Sequence, residues 1–209
     1  MKRPKKAKSR REIDKLMTEK MRGRESFVTR LSTPCFTSAQ ISQLIALVNA
    51  EAKTAEIGHA DSAYLQADQD MRRSSVVWLL EENYPWVYQT MREIAKNVND
   101  NYYMYDINPY NGPVQIAMYD ESNQGHFDWH MDTLPSDMTR KLSISIPLNN
   151  KIEFEGGQLE FKTGNALMEV EQVAGVPVVF PSWLPHRVSP VTKGRRYSMV
   201  SWFLGPQWR

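Results

Sequence analysis

The sequence predicts an α+β fold, mainly β, in which two N-terminal helices pack on one sheet of a β-sandwich or jelly-roll barrel. Three observations carry that expectation. Apolar residues recur at helical spacing only before residue 101. After it, short apolar-rich runs follow one another, separated by turn residues. One of them, LSISIPL, alternates Leu142, Ile144, Ile146 and Leu148 with Ser143 and Ser145, the pattern of a half-buried strand.

In chain order, TSAQISQLIALVNAEA (37–52) is the first helix. Thr37 or Ser38 caps it, and Ile41, Leu44, Ile45 and Val48 form one apolar face. Residues 53–74 are polar and irregular. Residues 85–100 form the second helix, with Pro85 in its first turn and Trp86, Tyr88, Met91, Ile94, Ala95 and Val98 on its buried side. The expected strands lie at 113–119, 126–132, 141–148, 157–162, 167–173, 176–181, 186–191 and 196–204. Gly156-Gly157, Gly164-Asn165 and Gly194 mark turns. Closely spaced strands behind two helices suit two packed sheets, and such a fold does not by itself name a function.

Composition narrows the class. The 209 residues are 41% hydrophobic and 24% charged, which suits one sizeable globular core. Cys35 is the only cysteine, so the chain forms no internal disulfide, and a reducing, intracellular, cytoplasmic setting is expected. No apolar run approaches the roughly 18 residues of a membrane span, and no apolar segment follows the basic N-terminus as in a secretory signal. The net charge of +2 hides an asymmetry: residues 1–24 hold eleven Lys/Arg against three Asp/Glu, whereas the rest holds fifteen against twenty-one. The organisation read from this is a basic, flexible tail at 1–24 and a single domain over 25–209. Such a tail is a solvated extension or a contact for nucleic acid or an acidic partner.

The chemistry concentrates in HFDWHMD (126–132), which contains His-x-Asp twice. On a strand, residues i and i+2 share a face, so either pair can hold one ion. A second histidine from a distant strand then completes a two-His-one-carboxylate triad with open positions, an arrangement suited to non-haem Fe(II). Parity does not choose between the pairs, because His126, Asp128, His130 and Asp132 are all even-numbered. Reach does exclude both at once: residues 126 and 132 lie roughly 20 Å apart when extended. His126 follows Gly125 at a loop exit, while His130 and Asp132 lie further into the element, which favours the second pair. A helical His-x-x-x-His zinc pair at His126 and His130 is disfavoured by Gly125, by the aromatics between them and by the lack of a Glu there. Of the other histidines, His59 sits in a polar segment and reads as a surface residue. His186 opens a strand and is the natural third ligand. Ten residues later Arg196, beyond a turn at Gly194, faces the same pocket and can grip a carboxylate by paired hydrogen bonds. Arg195 points the other way.

These residues, together with FEGGQLEF (154–161) and VVFPSWLPHRVSPVTKGRRYSMVSWF, resemble the Fe(II)- and 2-oxoglutarate-dependent dioxygenases of the prolyl 4-hydroxylase-like, PKHD-type group. The likeness is close over about residues 113–206. It implies a double-stranded β-helix (jelly-roll) core at about 101–206. It implies Fe(II) held by His130, Asp132 and His186, with His126 and Asp128 on the pocket rim. It also implies 2-oxoglutarate bound through Arg196 near Tyr119, O2 as oxidant, ascorbate as reductant, and Gly156-Gly157 as a structural turn. The substrate does not follow from these residues. Regions 53–84 and 133–140 are expected to face it, and Trp202 either lines the pocket or joins the core. The leading expectation is hydroxylation of a peptidyl or free amino acid. Oxidation of a nucleic-acid base and a non-catalytic binding module are the alternatives, and an intact triad with Arg196 argues against the last.

Overall fold

The computed structural model describes residues 27–55, 68–133 and 138–207. The basic stretch 1–24, His59 and residues 134–137 of the 133–140 loop lie outside the described residues. The elements run β1 (Thr29–Arg30), α1 (Ser38–Glu51), β2 (Lys53–Thr54), β3 (Arg72–Arg73), β4 (Ser75–Leu79), α2 (Pro85–Val98), β5 (Asn111–Asp120), β6 (His126–His130), β7 (Arg140–Pro147), β8 (Phe154–Gly156), β9 (Leu159–Thr163), β10 (Ala166–Glu169), β11 (Val178–Pro181), β12 (His186–Val188) and β13 (Val191–Leu204). A π turn over Asn99–Tyr103 continues α2.

Both helices form where their patterns place them. Thr37 caps α1 reciprocally: its hydroxyl accepts from the Gln40 amide, and the Gln40 side chain accepts from the Thr37 amide. Pro85 occupies the first turn of α2, where its missing N–H has no helical partner to lose. The buried side of α2 includes Val87, while Trp86 is only partly covered and meets Phe36 edge-on.

The strands make two antiparallel sheets. The larger has eight strands, ordered β1-β11-β7-β13-β5-β4-β2 with β8 also on β13, and the smaller has five, ordered β10-β9-β12-β6-β3. The two helices pack on the outer face of the larger sheet, and the smaller sheet covers its inner face. This is the jelly roll with helices on one sheet that the sequence predicts.

Several details differ from the expectation. The sheets recruit strands from before residue 101, including β4, whose Val76 and Leu79 are buried against β5. No periodic signal marks so short a segment; pairing with β5 makes it a strand. β7 is buried on both faces: Leu142, Ile144 and Ile146 lie under the helices, and Ser143 and Ser145 are equally covered. The serines therefore do not mark a solvated face; they line the interior. Gly194 is no turn. It lies within β13 at φ 72°, opposite Phe154 of β8, and the chain runs on from β12 through Ser189-Pro190 into β13 along one antiparallel ladder with β9 and β8, without reversing. Among the described residues no helix is long and apolar enough to cross a membrane.

Candidate active site

Between the sheets, β6 and β12 bring three metal-ligating side chains together. His186 pairs directly with His130 across the two strands. Donor atoms of His130, Asp132 and His186 all lie within 4.8 Å of one another. His130 Nε2 is 3.8 Å from Asp132 Oδ1, and His186 Nε2 is 3.6 Å from Asp132 Oδ2.

Each donor is aimed by a second contact. His130 Nδ1–H donates to the carbonyl of Asp128 at 2.7 Å, and His186 Nδ1–H donates to that of Leu184 at 2.8 Å. With Nδ1 protonated, both Nε2 atoms present lone pairs to the centre, the tautomer that a metal requires. Burial, with the His186 ring beside it, pushes His130 down to about 3, so it is neutral at ordinary pH. Burial opposes the charge on Asp132, but the facing rings of His186 and His130 and the Ser143 hydroxyl outweigh it and hold the carboxyl below its usual range. Ser143 donates to Asp132 Oδ2 at 2.6 Å, and the Ser182 carbonyl accepts from the Asp132 amide at 2.9 Å. Phe180 meets the His186 ring edge-on, and Phe127 stacks on His130 with centroids 3.5 Å apart.

That stack reveals why the first His-x-Asp does not share the site. Opposite His186 and Val188 stand His130 and Phe127, so Asp128 and Trp129 together face the single Arg187 and β6 carries a bulge. The bulge breaks the alternation, and Phe127 rather than Asp128 lies on the face of His130. Asp128 is exposed, and the His126 ring is tied to the carbonyls of Gln124 and Asp70. Neither lines the cavity, so the rim position expected for them does not hold. The strand also stops at His130; Asp132 is carried on the bend that follows.

Arg196 enters the same cavity from β13, paired with Tyr119 of β5. It is 1% exposed. Its Nε donates to Gln172 Oε1 and its Nη1 to Ser198 Oγ, both at 2.8 Å, and its guanidinium lies 5.2 Å from the Tyr119 ring centroid. All these partners are neutral, and among the described residues no carboxylate pairs with it. Burial lowers its pKa from the ordinary value. A buried cation without a counter-ion is costly, and a ligand carboxylate removes that cost. Gly157, at φ 59°, leaves room for it: a Cβ there would stand 3.0 Å from Arg196 Cδ. Arg195 points outward to Asp120. Trp202 lines the cavity.

The set of two neutral imidazoles and one ionised carboxylate fits a divalent first-row metal with open positions, and Arg196 fits the far end of a carboxylate ligand. Ser143 and Gln172 were not singled out by the sequence reading. The one signal for Ser143 is its place in an apolar strand; Gln172, in a loop, offers none.

Residues 114–204 match the family model described as the 2OG-Fe(II) oxygenase superfamily. Among curated relatives, a PKHD-type hydroxylase of Alteromonas mediterranea is 39% identical over 71 residues, covering 34% of this chain and 30% of the relative. One of Pseudomonas fluorescens is 33% identical over 85 residues, covering 37% and 38%. The chain thus matches about a third of the length of these relatives. Among solved structures, a Pseudomonas putida prolyl-4-hydroxylase superposes with TM-score 0.68 at 20% identity, covering 87% of this chain and 94% of that one. A Trichoplax adhaerens prolyl hydroxylase in complex with a hypoxia inducible factor peptide fragment gives 0.73 at 15%, covering 95% and 94%. The structural likenesses establish a shared fold.

Proposed function

We propose that this chain, whose residues 114–204 match the 2OG-Fe(II) oxygenase superfamily model, is an Fe(II)- and 2-oxoglutarate-dependent hydroxylase of a peptidyl or free amino acid. The observation that carries the reading is one cavity that contains both a two-His-one-carboxylate cluster and a buried guanidinium lacking a carboxylate partner.

His130, Asp132 and His186 hold Fe(II), which with 2-oxoglutarate and O2 supplies C–H hydroxylation, the products being the alcohol, succinate and CO2. Arg196 binds the 5-carboxylate of 2-oxoglutarate through charge-assisted hydrogen bonds, and Gln172 and Ser198 hold its plane in place. Tyr119 packs beside it. Ser143 and the Ser182 carbonyl fix Asp132 so that the ligand geometry exists before the metal arrives, which removes reorganisation from binding. Phe127 and Phe180 wall the cavity and exclude water, with Phe161 packed against the His186 ring. Ascorbate serves as the reductant that keeps the iron ferrous. An amino-acid substrate draws support from the PKHD-type and prolyl hydroxylase relatives.

The test offers amino acids and short peptides to protein loaded anaerobically with Fe(II) and 2-oxoglutarate, then admits O2. Substrate-stimulated succinate with a product heavier by one oxygen atom is the expected result. Failure to bind 2-oxoglutarate, or binding without turnover of any kind, overturns the reading.

A further inference from the structure

The cavity contains a second buried guanidinium that the cosubstrate does not use. Arg72, on β3, is 8% exposed and lines the same cavity as the triad and Arg196. Its Nε donates to Ser74 Oγ at 2.8 Å and its Nη2 to Gln115 Oε1 at 2.7 Å. The guanidinium lies 4.7 Å from the ring centroid of Phe127, the ring stacked on His130. Every one of these partners is neutral, and no carboxylate among the described residues pairs with it. Buried arginines are rare without a counter-ion.

Position separates Arg72 from the cosubstrate seat. Arg196 stands beside Tyr119, whereas Arg72 reaches β5 four residues away, at Gln115. Four strand residues span about 13 Å. Two carboxylates of 2-oxoglutarate are already committed on the proposed reading, one to the metal and one to Arg196. A second feature points to a ligand there. Trp202 lines the cavity, is 8% exposed, and its buried indole N–H has no acceptor among the described residues. An orphaned donor of this kind costs free energy until an oxygen reaches it.

We infer that Arg72 is the seat for a carboxylate of the primary substrate, with the Trp202 indole as a further donor to that substrate. The substrate is then a free amino acid, a peptide ending in the hydroxylated residue, or a residue with an acidic side chain, rather than an uncharged residue inside a chain. A single cation with two of its nitrogens already engaged matches a monoanion better than a phosphate dianion, which typically gathers several donors. This assignment rests on the proposed hydroxylase reading for what occupies Arg196.

The test measures binding to the full chain loaded anaerobically with Fe(II) and 2-oxoglutarate, by calorimetry. The probes are L-proline, L-leucine and Ala-Ala-Pro, each against its C-terminal amide, then N-acetyl-glutamic acid α-amide against N-acetyl-glutamine α-amide, and inorganic phosphate. The expected result is that at least one acid binds tenfold or more tighter than its amide, in keeping with roughly 10-fold to 150-fold for a charge-assisted hydrogen bond. Arg72→Gln should bring that ratio below about threefold, and Arg72→Lys should restore part of it. Arg73→Gln, on the same strand but turned to Asp70, is the control and keeps the ratio. Equal binding or no binding of every acid and amide by the wild type overturns the inference, as does a preference that survives Arg72→Gln in a folded protein. Phosphate bound more tightly than every acid overturns the carboxylate assignment. If Arg72→Gln does not fold, the wild-type acid-against-amide comparison decides alone. Loss of 2-oxoglutarate binding by the wild type counts against the hydroxylase reading, whereas normal 2-oxoglutarate binding without acid preference counts against Arg72 only.

Discussion

The two faces of the eight-stranded sheet come from alternate residues of the same strands, yet their chemistry is opposite. Toward the helices point Val114 and Ile116 of β5, Leu142, Ile144 and Ile146 of β7, and Met199 and Phe203 of β13. Toward the smaller sheet point Gln115 and Tyr119, Ser143 and Ser145, and Arg196, Ser198 and Trp202. Both faces are out of water to a similar degree. What differs is whether polar atoms find partners. The outer face needs none, and each apolar side chain it buries contributes about 1.5–3 kcal/mol. The inner face holds polar groups that are only partly satisfied from within, and those deficits describe the ligand. Burial alone therefore does not separate core from site; the hydrogen-bond inventory does.

That contrast predicts which substitutions affect binding and which affect stability. The largest effect belongs to the triad. His130→Ala or Asp132→Ala should weaken divalent-metal binding by more than ~100-fold, beyond what loss of a supporting hydrogen bond produces, and abolish succinate formation. His126→Ala should retain both, since its ring is engaged elsewhere; metal titration checks this, and the reverse pattern would move the site to the first His-x-Asp. Next comes the packing on the outer face. Leu44→Ala, on the buried side of α1 and fully covered, should destabilise by about 2–5 kcal/mol in denaturant unfolding, with the 2-oxoglutarate affinity of the folded protein unchanged. A matching loss of affinity would show that the two faces are not independent.

Arg196→Ala should weaken 2-oxoglutarate binding by roughly 10-fold to 150-fold, equivalent to about 1.5–3 kcal/mol, and leave metal affinity nearly intact. A shorter α-keto acid lacking the far carboxylate should not distinguish mutant from wild type. Arg195→Ala, directed at Asp120 on the surface, is the control. The smallest effect is at the helix cap. Thr37→Ala removes the capping hydroxyl of α1 and should cost about 1 kcal/mol, read as a shift in denaturant midpoint, with no change at the inner face.

Much of this arrangement was legible in the chain. Helical spacing places α1 and α2, and the cap at Thr37 sets where α1 begins. Alternation in LSISIPL marks β7, but it does not reveal that the serine side is buried as well, because a second sheet covering that side is a long-range fact. The His-x-Asp pattern names the residue types, and parity cannot choose between its two copies. The choice comes from a bulge whose existence depends on how β12 pairs with β6. Gln172 and Arg72 were missed for the same reason: each acts through a partner more than twenty residues away, Arg196 for the one and Gln115 for the other.

By itself the sequence determined the two helices, most strands after residue 101, the mainly β class and the chemical types available to the site, because helical and strand periodicity are local properties of neighbouring residues. The tertiary structure alone decided which His-x-Asp meets His186, that two guanidiniums lie buried in one cavity without a carboxylate beside either among the described residues, and that Asp132 sits on a bend held by Ser143 and Ser182. Those are outcomes of strand register and sheet packing, where a shift of one residue turns a side chain from the cavity to solvent.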